Sequence, residues 1–218
     1  MDFSKYPITI SLIAANCILS LIAFSNKDFL AKSLMWPYGV KRQGQYYRFI
    51  SSGFIHADFI HLFFNMFTLF FFGRNLEIYF KIYSLGGTIS YLSLYFLGLV
   101  ISDLPTYFKQ KNNSSYHSLG ASGAVSAVIF ATIIFSPWTS VYIYGAIKIS
   151  FTLYAILYII YCVYMGKRNA DNVNHDAHLW GAVFGLLFTL SLIAYINPAL
   201  FTDIIEELKH PSLFGRNQ

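Results

Sequence analysis

The chain has 218 residues, of which 56% are hydrophobic and 11% are charged, and its formal net charge is +5. Its apolar surface is larger than one soluble core can bury, which excludes a soluble domain and indicates an integral membrane protein. The positive charge fits lysines and arginines that flank a membrane, and the sequence has no basic stripe interleaved with aromatics that would indicate a nucleic-acid partner.

Six apolar stretches have, or nearly have, the roughly 20 residues that a helix needs to cross about 30 Å of hydrocarbon. They cover approximately residues 7–24, 60–80, 82–102, 120–136, 141–165 and 177–196. They lack the alternation of apolar and polar residues that transmembrane strands require. We therefore predict an all-α polytopic membrane protein, a six-transmembrane-helix bundle that forms a single domain over residues 1–218, with 197–218 as an interfacial tail.

The first stretch follows Lys5, and we interpret it as a retained helix because no convincing small-residue cleavage site follows Phe24. The two cysteines, Cys17 and Cys162, fall inside the first and fifth stretches. This position argues against a disulfide framework and favours a role as small apolar packing residues.

Two links between the stretches are long. Residues 25–59 are mixed in polarity and rich in aromatics, so we expect this link to lie partly in the membrane interface. Residues 103–119 end in a polar run directly before the fourth stretch.

Helix direction brings polar side chains to one side of the membrane. In a six-helix chain the second, fourth and sixth helices run the same way, so their N-terminal ends share a side. These ends carry His61 and Asn65, Ser122, and His178, respectively. The fourth stretch reaches only about 25 Å, so its start is expected to be recessed, with the polar segment 112–119 lining a wet cavity beside it.

These residues could have a packing role or a catalytic role. Serine and glycine in membrane helices are most often packing residues, and Gly181 and Gly185 form a common close-packing motif. Intramembrane histidines are different, because ionisable residues are costly there and are functional candidates by default. Serine, histidine and asparagine at three helix ends on the same side therefore favour a catalytic site.

Together these motifs resemble those of the rhomboid intramembrane serine proteases of the six-helix prokaryotic type. The resemblance is carried by the G-x-S-G of Gly120 to Gly123, the His-x-x-x-Asn of His61 and Asn65, and the Ala-His-x-x-Gly-x-x-x-Gly that begins at Ala177. It implies a rhomboid-like bundle in a lipid bilayer that acts on transmembrane protein substrates. We expect neither a cofactor nor a metal.

The roles of these residues follow from the chemistry of peptide cleavage. A serine hydroxyl needs an adjacent base, so His178 is expected to take the proton of Ser122 and return it to the leaving amine. The backbone N–H of Ser122 and the side chains of His61 and Asn65, four residues apart on one helical face, are expected to hold the oxyanion.

The glycines are expected to bring the dyad together. Gly120 and Gly123 would permit close backbone approach and a tight entry into the fourth helix. Gly181 and Gly185 would let the sixth helix pack against the fourth. His175 also has the spacing of a base, but we favour His178 because it lies deeper in the apolar run and on the glycine face, and we expect water to solvate His175.

The resemblance also implies structural support from Arg48 and Glu77, because the family pairs an arginine with a glutamate. The residue before this arginine is usually tryptophan and here is Tyr47. Many members carry an aromatic one turn after the nucleophile, where this chain has Ser126. Trp180 and nearby phenylalanines are the candidates to replace that ring.

The sequence thus predicts an intramembrane serine endopeptidase with a Ser-His dyad. One alternative is a rhomboid-like protein that binds membrane clients without cleaving them, which the presence of both Ser122 and His178 opposes. The other is a channel or transporter that uses His56, His61, His175 and His178 as a polar pathway, which the lack of broken-helix symmetry opposes.

The resemblance implies single-pass substrates with an easily unwound helix, admitted between the second and fifth helices. Two arguments about orientation disagree. Lysines and arginines are more frequent in the links on the active-site side, which would place that side in the cytoplasm. The resemblance instead implies a prokaryotic inner membrane with a cytoplasmic N-terminus. We follow the resemblance, because the first link is expected to lie in the interface and Glu77 is expected to neutralise Arg48.

Overall fold

The computed structural model describes residues 3–143, 146–168 and 173–216, and these are mostly helical. The helices are α1 Pro7–Ser25, α2 Lys27–Ser33, α3 Pro37–Gln43, α4 Arg48–Ser51, α5 Phe59–Thr68, α6 Arg74–Ile82, α7 Gly87–Gln110, α8 Ser122–Ile133, α9 Phe151–Arg168, α10 His175–Ile196 and α11 Leu200–Leu208. Short 3-10 turns lie at Phe3–Lys5 and Ser52–Phe54. The π-helical turn Leu69–Gly73 joins α5 to α6.

Four helical segments of the described chain are long and apolar enough to cross a membrane. They are Pro7–Ser25, Phe59–Ile82, Gly87–Gln110 and His175–Ile196. This confirms the polytopic helical membrane fold. The count of six spans stays a prediction, because α8 has only 12 residues and α9, which ends in Lys167 and Arg168, is not among the four.

Two predicted helix boundaries are wrong. The predicted start of the fifth helix instead contains two antiparallel strands, β1 Ser140–Ile143 and β2 Ile147–Ser150, with Ser140 opposite Ser150. Alternating β-branched and polar residues favour strands here, and α9 begins only at Phe151. The third helix begins at Gly87 rather than 82, because α6 continues to Ile82 and the turn that follows it contains positive φ at Ser84 and Gly86.

Helix α8 lies at the centre of the core, since every residue from Gly123 to Thr132 is buried. Its neighbours approach through small residues. A Cβ added to Gly181 would lie 2.1 Å from the carbonyl oxygen of Gly123, and one added to Gly185 would lie 2.1 Å from that of Ala127. Helices α8 and α10 are therefore in backbone-to-backbone contact along two turns.

The predicted pairing of Arg48 with Glu77 is wrong. The Arg48 guanidinium donates hydrogen bonds to the carbonyl oxygens of Ala31 at 3.0 Å and Leu34 at 2.6 Å, and so organises the first link. Glu77 lies at the far end of the α5–α6 helix, where its buried carboxylate accepts hydrogen bonds from the backbone N–H groups at the start of α1 and pairs with Lys81. The two residues stabilise opposite ends of the bundle.

The first link is tied to the segment that precedes α8. The backbone of Met35 and Ser118 exchanges two hydrogen bonds of 2.9 and 3.1 Å, and the N–H of Gly120 donates to the Ser52 carbonyl at 2.9 Å. This bracing fixes the chain just before Ser122. At the other end, the predicted tail contains α11, and its last residues, 217–218, lie outside the described residues.

Candidate active site

The first polar pair of the candidate site lies at the start of α5. The Asp58 carboxylate caps this helix by accepting a hydrogen bond from the His61 N–H at 2.7 Å. Asn65 follows one turn later, and its side-chain amide donates to the His61 carbonyl at 3.0 Å. The cap thus sets the register that places His61 and Asn65 on one face.

Gly120 brings the start of α8 against His61. Its φ is +121°, and an added Cβ would lie 2.7 Å from His61 Cε1 and 2.9 Å from Nε2. Only glycine fits both this backbone conformation and this contact. The imidazole of His61 therefore lies against the backbone two residues before Ser122.

Ser122 is the first residue of α8 and is half-buried. Within the described chain, no side chain caps this helix at Ala121. The first N–H groups of a helix have no partner inside the helix and carry partial positive charge. Ser122 thus combines a hydroxyl with nearby backbone donors suited to a developing oxyanion.

The start of α10 is fixed by Asn174. Its side-chain oxygen accepts hydrogen bonds from the Ala177 N–H at 3.1 Å and from the Thr106 hydroxyl at 2.9 Å. His178 follows the capped turn. The Ala177 carbonyl oxygen would lie 3.5 Å from a Cβ on Gly123, so the N-terminal turns of α8 and α10 are adjacent.

The ring that stacks on His178 is Tyr158 of α9, with centroids 6.3 Å apart and planes 17° apart. Its hydroxyl is hydrogen-bonded to Ser126 at 2.7 Å, one turn after Ser122. The prediction of Trp180 or a phenylalanine was wrong, and Trp180 is 45% exposed. Ser126 could have indicated a tyrosine from the sequence. Its buried hydroxyl needs a partner, and tyrosine is the aromatic that can both stack on a histidine and accept or donate a hydrogen bond.

His175 does not lie in solvent as predicted. It is 4% exposed, and its ring makes edge contacts with Tyr161 at 5.4 Å and with His178 at 5.9 Å between centroids. The reason is that α10 begins at His175, so the residue belongs to the packed helix and not to the polar hinge.

His56 is a buried neighbour of the site to which sequence reasoning gave only a channel role. Its Nδ1 is hydrogen-bonded to the Ser20 hydroxyl at 2.9 Å, and its ring packs edge-on to that of His61. Burial, and to a smaller extent the charge of His61, lower the pKa of His56 to about 3, against the opposing effect of Asp58. His56 is therefore neutral at physiological pH and supports the site by packing and hydrogen bonding.

A single cavity of about 680 Å³ gathers these groups. Its lining includes His61, Asn65, Ser122, Ser126, Tyr158 and His178. The remaining lining residues are mostly apolar, and Phe64 and Tyr154 stand on its α5 and α9 sides. Such a cavity, mostly apolar with a few convergent polar groups, is typical of a substrate site.

Comparison with known proteins gives consistent matches. The model of the Rhomboid domain matches residues 43–195. The chain is 26% identical over 189 residues to "RHOMBOID-like protein 12, mitochondrial" of Arabidopsis thaliana, covering 82% of this chain and 56% of that protein. It is 34% identical over 145 residues to "Presenilin-associated rhomboid-like protein A, mitochondrial" of Danio rerio, covering 64% and 36%. The chain spans about half or less of the length of these relatives.

Proposed function

The chain belongs to the rhomboid family, and from that premise we propose that it is a serine endopeptidase that cleaves transmembrane segments with a dyad of Ser122 and His178. The supporting observation is that one cavity is lined by Ser122 at the start of a helix, by His178, and by His61 and Asn65. Serine and histidine supply the nucleophile and base of acyl transfer, and the other two supply hydrogen-bond donors.

In the proposed reaction His178 accepts the hydroxyl proton as Ser122 Oγ attacks the scissile carbonyl carbon. A C–O bond forms and the carbonyl electron pair moves to oxygen, giving a tetrahedral oxyanion. Collapse of this intermediate breaks the C–N bond, and the leaving amine takes the proton from His178. Water then hydrolyses the acyl-enzyme by the same sequence of proton transfers.

The orientation of the base is supported from α9. The Tyr158 ring lies nearly parallel to the His178 imidazole, and the tyrosine hydroxyl is anchored on Ser126. Stacking restricts rotation of the imidazole, and the hydrogen bond restricts the tyrosine. In this proposal Tyr158 is a positioning residue, because it contacts the base and not the reacting bond.

The oxyanion would be held by the Ser122 N–H together with His61 and Asn65. The Asn65 amide has two N–H groups, and its bond to the His61 carbonyl uses one of them. Loss of one oxyanion donor typically costs about 3 kcal/mol, or roughly a hundredfold in rate. We therefore assign Gly120, Gly123, Gly181 and Gly185 to the support of this geometry.

The proposed substrates are single-pass membrane proteins whose helix unwinds easily near the cut. A helical backbone keeps its carbonyl groups in internal hydrogen bonds, so the scissile bond must leave the helix to be attacked. The α5 and α9 sides of the cavity, with Phe64 and Tyr154, are the proposed route of entry from the lipid.

The chain is an integral membrane protein, and we propose a cytoplasmic N-terminus. The prokaryotic inner membrane stays a prediction that the relatives named as mitochondrial do not support. The charge of Arg48 is not neutralised by Glu77, so the choice of orientation depends on the family resemblance. Labelling of a Lys109→Cys variant in intact cells by an impermeant thiol reagent is expected, and failure to label would reverse the orientation.

The decisive experiment incubates the purified protein with a single-pass substrate rich in Gly, Ala and Ser. Ser122→Ala is expected to abolish cleavage and labelling by a fluorophosphonate probe, and His178→Ala to reduce both to background. Ser118→Ala makes the same chemical change in the lining of the same cavity and serves as the control.

His175→Ala distinguishes the two histidines, since it is expected to keep substantial cleavage. A Ser122→Ala protein that still cleaves would refute the protease. A wild type that binds the substrate but neither cleaves it nor reacts with the probe would instead favour the client-binding alternative.

A further inference from the structure

A second chemical cluster lies behind the candidate base. Among the described residues, one group of histidine, cysteine and carboxylate side chains converges as metal ligands do, and it comprises Cys162, His175 and His178. The ligand atoms, one sulfur and two ring nitrogens, all lie within 4.8 Å of one another. The function proposed above uses only His178 of these three.

The cluster is built by two helices, and two of its three side chains, Cys162 and His175, are buried. His175 and His178 are one turn apart on α10, so both rings reach the same side. Cys162 comes from α9 and is 2% exposed. The edge contact of Tyr161 with His175 limits the movement of that ring.

The ligand set selects the class of metal. A thiolate with two imidazoles suits Zn²⁺ and other borderline-soft ions, whereas Mg²⁺ and Ca²⁺ prefer oxygen ligands. Bonds of about 2.3 Å to sulfur and 2.0–2.1 Å to nitrogen keep tetrahedral ligand atoms roughly 3.5 Å apart. Small side-chain rotations would close the observed separations to that value, and water would fill the fourth position.

We propose that Cys162, His175 and His178 form an inhibitory Zn²⁺ site. On binding, the Cys162 thiol releases its proton to solvent and a zinc–sulfur bond forms, while each neutral imidazole donates its nitrogen lone pair. A neutral imidazole has one such lone pair. Whichever nitrogen of His178 binds the ion, the ring can no longer accept the proton of Ser122.

Metal binding in this proposal is independent of the proposed function, whereas inhibition depends on it. The two are therefore tested by different readouts on the same purified protein. Binding is measured with Co²⁺, which replaces Zn²⁺ and reports a bound thiolate by a charge-transfer absorption in the near ultraviolet. Inhibition is measured with Zn²⁺ on cleavage of the single-pass substrate.

The chelator-treated wild type is expected to develop the cobalt–thiolate band with one equivalent of Co²⁺, and Zn²⁺ is expected to remove the band. Cys162→Ser and Cys162→Ala are expected to lack it at unchanged thermal stability. Cys17→Ser changes the other cysteine, in α1, and is expected to keep the band. A wild type without the band, or a Cys162→Ser protein that retains it, would overturn the site.

Zn²⁺ is expected to inhibit cleavage reversibly, with activity restored by a chelator. Cys162→Ser is expected to retain basal activity and to need at least tenfold more Zn²⁺ for half inhibition, whereas Cys17→Ser responds like the wild type. Equal sensitivity of Cys162→Ser and wild type would refute inhibition at this site. A protein that forms the band but never cleaves would keep the metal site and refute the proposed function.

Discussion

Two helix pairs surround the candidate dyad in opposite ways. Helices α8 and α10 are in backbone contact, with glycine positions where an added Cβ would meet carbonyl oxygens at 2.1 Å. Helices α5 and α9 instead face a cavity lined by large side chains such as Phe64 and Tyr158. The proposed enzyme needs both arrangements. The close contact of α8 and α10 would hold Ser122 near His178, and the space between α5 and α9 would leave room for a substrate.

The close pair can be broken by a single methyl group. Gly181→Ala would place its Cβ against the Gly123 carbonyl, which belongs to a buried backbone and cannot move aside. Overpacking typically costs about 1–3 kcal/mol. We expect a loss of this size in unfolding free energy and at least a hundredfold loss of activity, since separated catalytic groups lose their alignment.

Gly166→Ala is the matched control for Gly181→Ala, because its nearest neighbour would be His175 Cβ at 3.6 Å, an ordinary contact. Alanine has the better helix propensity, so this variant is expected to be neutral or more stable. Thermal unfolding in detergent measures the stability of the two variants, and cleavage assays measure their activity. Equal behaviour of the two variants would contradict the importance of backbone contact.

The contact between the two pairs can be tested at Tyr158, which reaches from α9 to the base on α10. Tyr158→Ala removes the stacked ring, and we expect an approximately hundredfold loss of kcat. Tyr158→Phe keeps the ring but breaks the bond to Ser126, worth about 1 kcal/mol, so a roughly fivefold loss is expected. Tyr154→Phe, in the same cavity lining, should change kcat little.

A structural role alone would lower stability without a selective loss of reactivity. The fluorophosphonate labelling rate of Ser122 is therefore compared at a temperature where all three variants are folded. Labelling of Tyr158→Ala at the wild-type rate would show that the ring does not position the base.

The sequence predicted the parts of the site that follow from helix direction and spacing. His61, Ser122 and His178 stand near three helix starts, so direction alone brings them to one side of the membrane. Tyr158 could not be predicted in this way, because it reaches the site from a helix of opposite direction, across the cavity. Its contact with His178 depends on the rotation of α9 about its own axis. A helix that is apolar on all sides has no sequence pattern that indicates which face points to the site.

The incorrect predictions have related physical causes. The apolar run from 141 was assigned to a helix because length and hydropathy do not distinguish a short apolar strand from a helix. The pairing of Arg48 with Glu77 was implied by the family resemblance, whereas the distance between them is set by the long α5–α6 helix. The family match over 43–195 shows the fold, but it does not pair individual side chains.

A smaller effect is expected on the acid stability of the region around His56, which packs against His61 at the start of α5. Because the folded state holds the pKa of His56 near 3, against 6.5 for an ordinary histidine, the unfolded chain binds an extra proton between these values. This contribution to stability is fully present above pH 6.5 and is lost as pH falls towards 3. His56→Gln removes the titrating group and keeps a partner for Ser20.

We expect the melting temperature of His56→Gln to fall less steeply than that of the wild type between pH 6.5 and 4. His117→Gln changes an exposed histidine of the cavity lining and is the control, expected to follow the wild type. Parallel curves for His56→Gln and wild type would mean that the buried imidazole is charged in the folded protein.

The smallest effect is expected on the open side. Phe64 is exposed and lines the cavity, whereas its neighbour Phe63 is equally apolar and exposed but is not among the lining residues. Phe64→Ala would remove apolar contact with an entering substrate helix and leave the α8–α10 contact intact. We expect KM for a single-pass substrate to rise about threefold to tenfold with little change in kcat, stability or fluorophosphonate labelling. Phe63→Ala should leave KM near the wild-type value, because Phe63 does not line the cavity. If both variants raise KM equally, the aromatic face of α5 acts only as a lipid-facing surface, and substrate entry between α5 and α9 would have to be abandoned.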